Sequence, residues 1–181
     1  MTARAKARRT GDGAVAAAPS ALSIPEQINA AREAALRLLA VRERSRAELR
    51  TRLLRRGFQG DAVEAVLDRL AETGLQDDRR FAERYAEGSV ARGKAARRIQ
   101  GELRGRGIGA EAAAAAAVAS PEEEIERARA VARTKASRMG DADPTAKARR
   151  IFGMLARRGY DAETCRRVAA EVSGTEDAEQ S

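Results

Sequence analysis

The chain has 181 residues, 34% of them charged and 3% aromatic, with 35 Lys and Arg against 27 Asp and Glu, a net charge of +8 and a pI near 10.6. Cys165 is the single cysteine and there is no histidine, which excludes disulfide frameworks, zinc sites and thiol–histidine catalysis and fits a reducing, cytoplasmic setting. The longest apolar run, Ala112 to Ala119, is far short of the roughly 20 residues a membrane-spanning helix needs, so no membrane partner is expected.

In chain order, Arg4, Lys6, Arg8 and Arg9 precede a small apolar patch, Ala14 to Ala18, which is too short for a signal peptide and is cut by Pro19. Residues 1–27 are expected to form a disordered basic tail, and a first helix is expected over Ala31 to Arg42. Ser45 with Glu48 reads as a capping box opening a second helix, with Leu49 and Leu53 on one face and Arg56, Gly57 and Phe58 at its end. Asp61 and Glu64 are expected to cap the next helix, whose Val63, Val66, Leu67 and Leu70 share a face.

A fourth helix is expected from Asp78 to about Arg92, with Phe81 and Tyr85 four apart and Asp77 and Asp78 as its cap. The fifth begins near Gly93 and Lys94 without a strong cap and closes on Ile99, Leu103, Arg106, Gly107 and Ile108. An alanine-rich helix follows Gly109. Ser120 caps a seventh over Pro121 to Met139, Asp143 and Pro144 open an eighth that closes on Ile151, Leu155, Arg158, Gly159 and Tyr160, and Asp161 caps a ninth bearing Cys165, Val168, Ala169 and Val172.

The glycines that close the second, fifth and eighth helices lie 50 and 52 residues apart. At each, two aliphatics four apart define a buried face, a glycine takes the left-handed conformation that ends the helix, and the next apolar residue folds back as a plug. Repetition of this pattern predicts an all-α protein of three tandem three-helix repeats over residues 28–74, 75–119 and 120–173, with an acidic tail over 174–181. A unit of about 50 residues is marginal alone, so neighbours are expected to share apolar faces in an elongated, curved body on the order of 60 Å long.

Positive charge follows the same periodicity. Residues 45–57 carry +4, residues 94–107 +4 and residues 144–159 +5, together more than the charge of the whole chain, whereas residues 61–73 hold four acids against Arg69. Segregation by helix position points to a binding stripe along the middle helices, and the candidate contacts are Arg52, Arg55, Arg56, Arg97, Arg98, Arg104, Arg149, Arg150, Arg157 and Arg158.

Arg44-Ser45-Arg46-Ala47-Glu48-Leu49, Gly74-Leu75-Gln76-Asp77-Asp78-Arg79-Arg80-Phe81-Ala82 with Tyr85, and the repeated closures at Gly57, Gly107 and Gly159 resemble the RecX family of bacterial regulators, over roughly Ala31 to Val172. The resemblance implies three tandem three-helix repeats and, as partner, the RecA recombinase filament on single-stranded DNA, which the family modulates, usually as inhibitors, in the regulation of DNA repair. Gly88, Gly101, Gly105 and the alanine run depart from good helix formers and bear on the rigidity of the middle unit.

Enzyme readings fail for want of a constellation, and no cofactor or metal is expected. Gly88 to Ala95 nearly matches a phosphate-binding loop, but Ala95 stands where that motif needs a hydroxyl and the preceding segment reads as helix. Cys165 reads as a small core residue. The rival reading is DNA binding without RecA; it would not be sequence-specific, because Gln100 is the only amide side chain in a middle helix.

Overall fold

The computed structural model describes residues 19–174, so the basic patch and the acidic residues placed in the two tails lie outside the described residues. A short 3-10 turn, Pro19–Ala21, leads into nine α-helices, and no strand occurs among the described residues. Unit 1 comprises α1 (Ile24–Val41), α2 (Arg46–Leu54) and α3 (Gly60–Glu72). Unit 2 comprises α4 (Asp78–Ala91), α5 (Ala96–Arg104) and α6 (Ala110–Ala116), and unit 3 comprises α7 (Pro121–Ala136), α8 (Pro144–Arg158) and α9 (Ala162–Ser173).

The first helix begins seven residues before its expected start, inside the segment assigned to the tail. Ser23 donates to Glu26 from its backbone (2.9 Å) and its hydroxyl (2.6 Å), and Pro25 stands in the first turn. Cap assignments elsewhere divide. Asp143 and Asp161 accept from the N–H groups of Ala146 and Thr164, each at 2.8 Å, as their positions require. Asp61 caps nothing: α3 opens at Gln59, whose N–H is taken by the side chain of fully buried Gln27 at 2.9 Å. A glutamine from α1 therefore does what a local aspartate was expected to do.

The three closures are alike to the hydrogen bond. Gly57, Gly107 and Gly159 have φ of 88°, 81° and 94°. Beyond them Phe58, Ile108 and Tyr160 turn inward, each backbone N–H returning to the carbonyl of the leucine five positions earlier, at 3.4, 3.2 and 3.3 Å. Those leucines, Leu53, Leu103 and Leu155, are fully buried, so one motif both stops the helix and seals the core beneath it.

Each unit has its own core. Leu38, Leu49, Leu53, Val66 and Leu67 centre the first, Phe81, Ile99, Leu103 and Ile108 the second, and Ile151, Leu155, Cys165 and Val168 the third. The expectation of shared apolar faces is overturned: of the unit 2 residues, Ala95 alone enters a neighbour's core. The reason is that the units meet through helix ends, whose unsatisfied amides and carbonyls need polar partners.

That junction is made twice, in the same way. At the first, the Ser45 hydroxyl donates to the carbonyl of Arg106 at 2.6 Å, and the Arg46 N–H, at the start of α2, donates to the Asp78 carboxylate of α4 at 2.7 Å. At the second, the Ala95 N–H donates to the carbonyl of Arg158 at 3.0 Å, and the Ala96 N–H, at the start of α5, donates to Glu124 of α7 at 2.6 Å. The first two middle helices, α2 and α5, are thus each capped by a carboxylate of the following unit, while the N-terminus of each abuts the C-terminus of the next middle helix. Opposite ends of two helix dipoles face each other.

No hydrogen bond or ion pair joins unit 1 to unit 3 among the described residues, so unit 2 links the other two.

The closing glycines take part in these contacts. A Cβ added to Gly107 would lie 2.3 Å from the Cβ of Ala47, and one added to Gly159 would lie 2.5 Å from the Cβ of Arg98. Gly101, in the open face of α5, would meet nothing within 4 Å. Gly107→Ala is expected to lower unfolding stability by about 2 kcal/mol, from left-handed strain and the clash together, and Gly101→Ala to raise it by about 0.5–1 kcal/mol. Urea titration of the two variants checks both signs.

Candidate binding surface

Of the ten arginines read as contacts, the fold gathers seven into two grooves and leaves three apart. Arg52 and Arg55 of α2 face Arg104 and Arg106 across a groove at the junction of units 1 and 2, about 490 Å³ in volume and floored by Thr51, Gly105 and Gly107. Arg149, Arg150, Arg157 and Arg158 of α8 surround a second groove of about 440 Å³, which Lys135 of α7 completes. Arg56 and Arg97 are exposed and line neither groove. Arg98 is ion-paired to Glu102 at 3.1 Å and packs beside Gly159.

Ion pairing decides how much of the charge is free. On α2 the Arg46 guanidinium meets Glu64 and Asp68, both at 2.8 Å, and Arg50 meets Glu64 at 2.6 Å. The acids of α3 therefore neutralise the N-terminal half of α2 and leave Arg52, Arg55 and Arg56 with no ion pair among the described residues. At α5 the carboxylate of Glu102 collects Lys94 (2.5 Å) and Arg98, and Arg106 leans toward Glu48 at 3.8 Å, so Arg97 and Arg104 have no ion pair among the described residues. None of the α8 cations is in an ion pair among the described residues, which makes unit 3 the most exposed positive field.

Arg106, counted with the basic stripe, serves the scaffold. Its guanidinium carbon sits 4.3 Å from the centre of the Tyr85 ring and its Nη1 donates to the Glu102 carbonyl at 2.8 Å. The Tyr85 hydroxyl in turn donates to the Glu102 carboxylate at 2.6 Å. The capping box expected of Ser45 and Glu48 forms only in part: the Ser45 hydroxyl accepts from the Glu48 N–H at 3.1 Å, but the Glu48 carboxylate turns away to Arg42, 3.0 Å distant, and Arg106. Asp77 caps α4, as expected, while Asp78 is spent on α2 and on Gln76.

Two basic side chains had no sequence signal as site residues. Lys135 and Arg138 belong to a helix read as scaffold, and they reach the α8 surface only because α7 packs beside it. Arg44 is different: it is buried, its Nε bonded to the Leu38 carbonyl at 3.2 Å, and burial lowers its pKa.

The chemistry available is that of binding. No cluster of potential metal ligands occurs among the described residues. The near-match to a phosphate-binding loop begins on the last turn of α4 and runs through the α4–α5 turn, with no strand before it. Cys165 is buried, its thiol pushed up by burial and donating to the Tyr160 carbonyl at 3.7 Å.

Three tandem three-helix units, chained through their middle helices and bearing arginine-lined grooves, define a helical-repeat protein with basic grooves on its surface. Family models agree on what kind: those of the first, second and third three-helix domains of RecX match residues 31–70, 77–116 and 122–169. The chain belongs to the RecX family.

It is 39% identical over 159 residues to the regulatory protein RecX of Mycobacterium avium (strain 104), covering 86% of this chain and 92% of that one. To the regulatory protein RecX of Halorhodospira halophila it is 41% identical over 143 residues, covering 78% and 87%. The crystal structure of RecX from Lactobacillus salivarius shares the fold with a TM-score of 0.69 at 21% identity, over 82% of this chain and 97% of that one. The relatives are regulatory proteins, and the chain shares their domain order throughout.

The carboxylates that hold the scaffold set its acid limit. Hydrogen bonds from Arg50 and Arg46 hold Glu64 below its ordinary value of 4.5, and those from the Thr164 backbone and hydroxyl hold Asp161 below 3.8. Burial pushes Glu102 upward, but hydrogen bonds from Lys94 and Tyr85 and the charges of Lys94 and Arg98 bring it below 4.5. A carboxyl depressed in the folded state contributes stability that is complete above its unfolded pKa and is lost as pH falls through the folded one. With no histidine to titrate, the melting temperature is expected to stay level from about pH 6 to about pH 8 and to fall at pH values below about 4.5. Scanning calorimetry across that range checks it, and Glu102→Gln should lower the neutral-pH plateau and shrink the acid drop.

Proposed function

We propose that the protein binds the RecA filament on single-stranded DNA and modulates it, in the inhibitory direction, as part of the regulation of DNA repair in the cytoplasm, acting by binding and not by catalysis. The observation that carries this reading is the set of arginines left free by the ion-pair pattern: Arg52, Arg55 and Arg104 around one groove and Arg149, Arg150, Arg157 and Arg158 around the other. Guanidinium groups with no ion pair among the described residues are matched by phosphates and carboxylates, both of which a nucleoprotein filament presents along its length. Membership in a family of regulatory proteins supports the same reading.

A tandem array of three units supports a filament as partner. Each unit can engage a different repeat of a periodic target, and linked weak contacts multiply into tight binding. Arg56, Arg97 and Arg98 contribute less in this reading: the first two line neither groove, and the third is ion-paired.

The test is RecA ATP hydrolysis on single-stranded DNA with the protein titrated in. Inhibition is expected at substoichiometric ratios, and the triple variant Arg52→Glu, Arg55→Glu, Arg104→Glu is expected to need at least about tenfold more protein for the same effect. Absence of any effect of the unaltered protein on RecA would refute the reading. Binding to naked DNA that weakens steeply with salt, with no change in RecA activity, would establish the rival instead.

A further inference from the structure

A third concavity, at the junction of units 2 and 3, adjoins the α8 groove, with which it shares Lys135, Met154 and Arg158, and differs in chemistry from the unit 1–unit 2 groove. It holds about 440 Å³ between the end of α4, the outer face of α7 and α8. Its floor is aliphatic, formed by Val90, Val131 and Met154, and its rim is cationic, formed by Lys135, Arg138 and Arg158, none of which is in an ion pair among the described residues. Arg127, also on the rim, is 3.4 Å from Glu124, and no carboxylate lines the pocket. The unit 1–unit 2 groove, by contrast, has no large aliphatic side chain in its lining.

The pocket is a built feature of the second junction. Gly93, at φ 71°, brings the α4–α5 turn so close to α7 that an added Cβ would lie 2.3 Å from a methyl of Val131 and 3.7 Å from the Arg158 Nε. Ala95 and Tyr160 then lock the turn to the end of α8 through the Arg158 carbonyl and the Gly93 carbonyl. The aliphatic floor is thereby open at Val90, which is 36% accessible, and closed at Met154, which is 8% accessible, at a place where cations crowd the rim.

We propose that this pocket docks an acidic segment of a partner protein that carries an aliphatic anchor residue, whereas the unit 1–unit 2 groove takes phosphate. A sugar–phosphate backbone offers charge for the rim but no aliphatic group for the floor. The chain has no aromatic side chain in the pocket on which a base could stack. An acidic segment with one leucine satisfies both halves, burying the side chain on Val90, Val131 and Met154 while its carboxylates meet Lys135, Arg138 and Arg158. The assignment deepens the proposed function by saying which of the basic residues face protein.

The experiment uses the full chain and fluorescence anisotropy with a labelled glutamate-rich peptide of about 15 residues bearing one central leucine, a copy with the leucine replaced by serine, and oligo-dT as competitor. The leucine peptide is expected to bind at least about tenfold more tightly than the serine peptide, as the burial of one aliphatic side chain requires. Val90→Asp is expected to abolish that preference without altering the circular dichroism spectrum, and oligo-dT is expected not to displace the peptide. Failure of the leucine peptide to bind, equal binding of both peptides, retention of the preference in Val90→Asp, or displacement by oligo-dT would each overturn the proposal, the last by assigning the pocket to nucleic acid. The RecA partner is not part of this measurement. A chain that prefers the leucine peptide yet leaves RecA hydrolysis unchanged would refute the proposed function and uphold the pocket.

Discussion

The architecture depends on one arrangement made twice: the N-terminus of a middle helix is closed by the unit that follows it. Arg46 and Ala96 occupy equivalent positions, and each donates its N–H to a carboxylate on the next unit's first helix. A helix start without such a partner leaves amides unsatisfied, and satisfying one with a charged acceptor is worth on the order of 1–2 kcal/mol. The second partner, the carbonyl of Arg106 or Arg158, comes from the turn that Gly107 or Gly159 closes. Glycine is required there twice over, by the left-handed backbone and by the approach of Ala47 or Arg98. Closure of one helix and capping of the preceding one are therefore a single structural event, which ties unit order to the spacing of the repeat.

Polar junctions between separate cores have a consequence for charge. Exposed ion pairs of the kind Arg46 and Arg50 make with Glu64 contribute little stability, roughly 0–1 kcal/mol each. Their larger effect is to cancel field. Acids on α3 and at Glu102 quench Arg46, Arg50 and Arg98, so among the described residues the middle-helix guanidinium groups without an ion pair are those at the C-terminal end of α2, at Arg97 and Arg104, and along α8. A basic pI distributed evenly would attract any polyanion weakly; concentrated in two grooves it gives directional sites.

The two junctions are alike in backbone and unlike in lining. At the first, Ala47, Thr51 and Gly105 leave a groove lined by four guanidinium groups and by the Glu48 carboxylate, which is paired with Arg42 and Arg106. At the second, Val90, Val131 and Met154 give the same location an aliphatic floor. One scaffold thus presents two different linings, and the proposed binding to a nucleoprotein filament, with both polymer and protein, would use each. Family membership gives the regulatory role.

Much of this was legible in the amino-acid sequence. Spacing of Leu49, Leu53 and Gly57 and their two echoes is a local pattern of helix face, stop and plug, and local patterns survive folding, so nine helices, three units and most core residues follow from it. Helix ends were less legible wherever the cap was borrowed: Gln27 for α3, Asp78 for α2 and Glu124 for α5 all come from other helices. The ten arginines were likewise identified by type and helix, but which of them share a groove depends on which helices pack side by side, and Arg98 is taken by Glu102. Lys135 and Arg138 carried no signal, since they join the α8 surface only through tertiary packing. The sequence by itself determined the elements, their repetition and the sign of the surface, because these rest on interactions within a few residues. Only the tertiary structure decided which charges remain free, how the units are joined and where an aliphatic floor is exposed, because each of those is set by what a neighbouring helix brings to the same point in space.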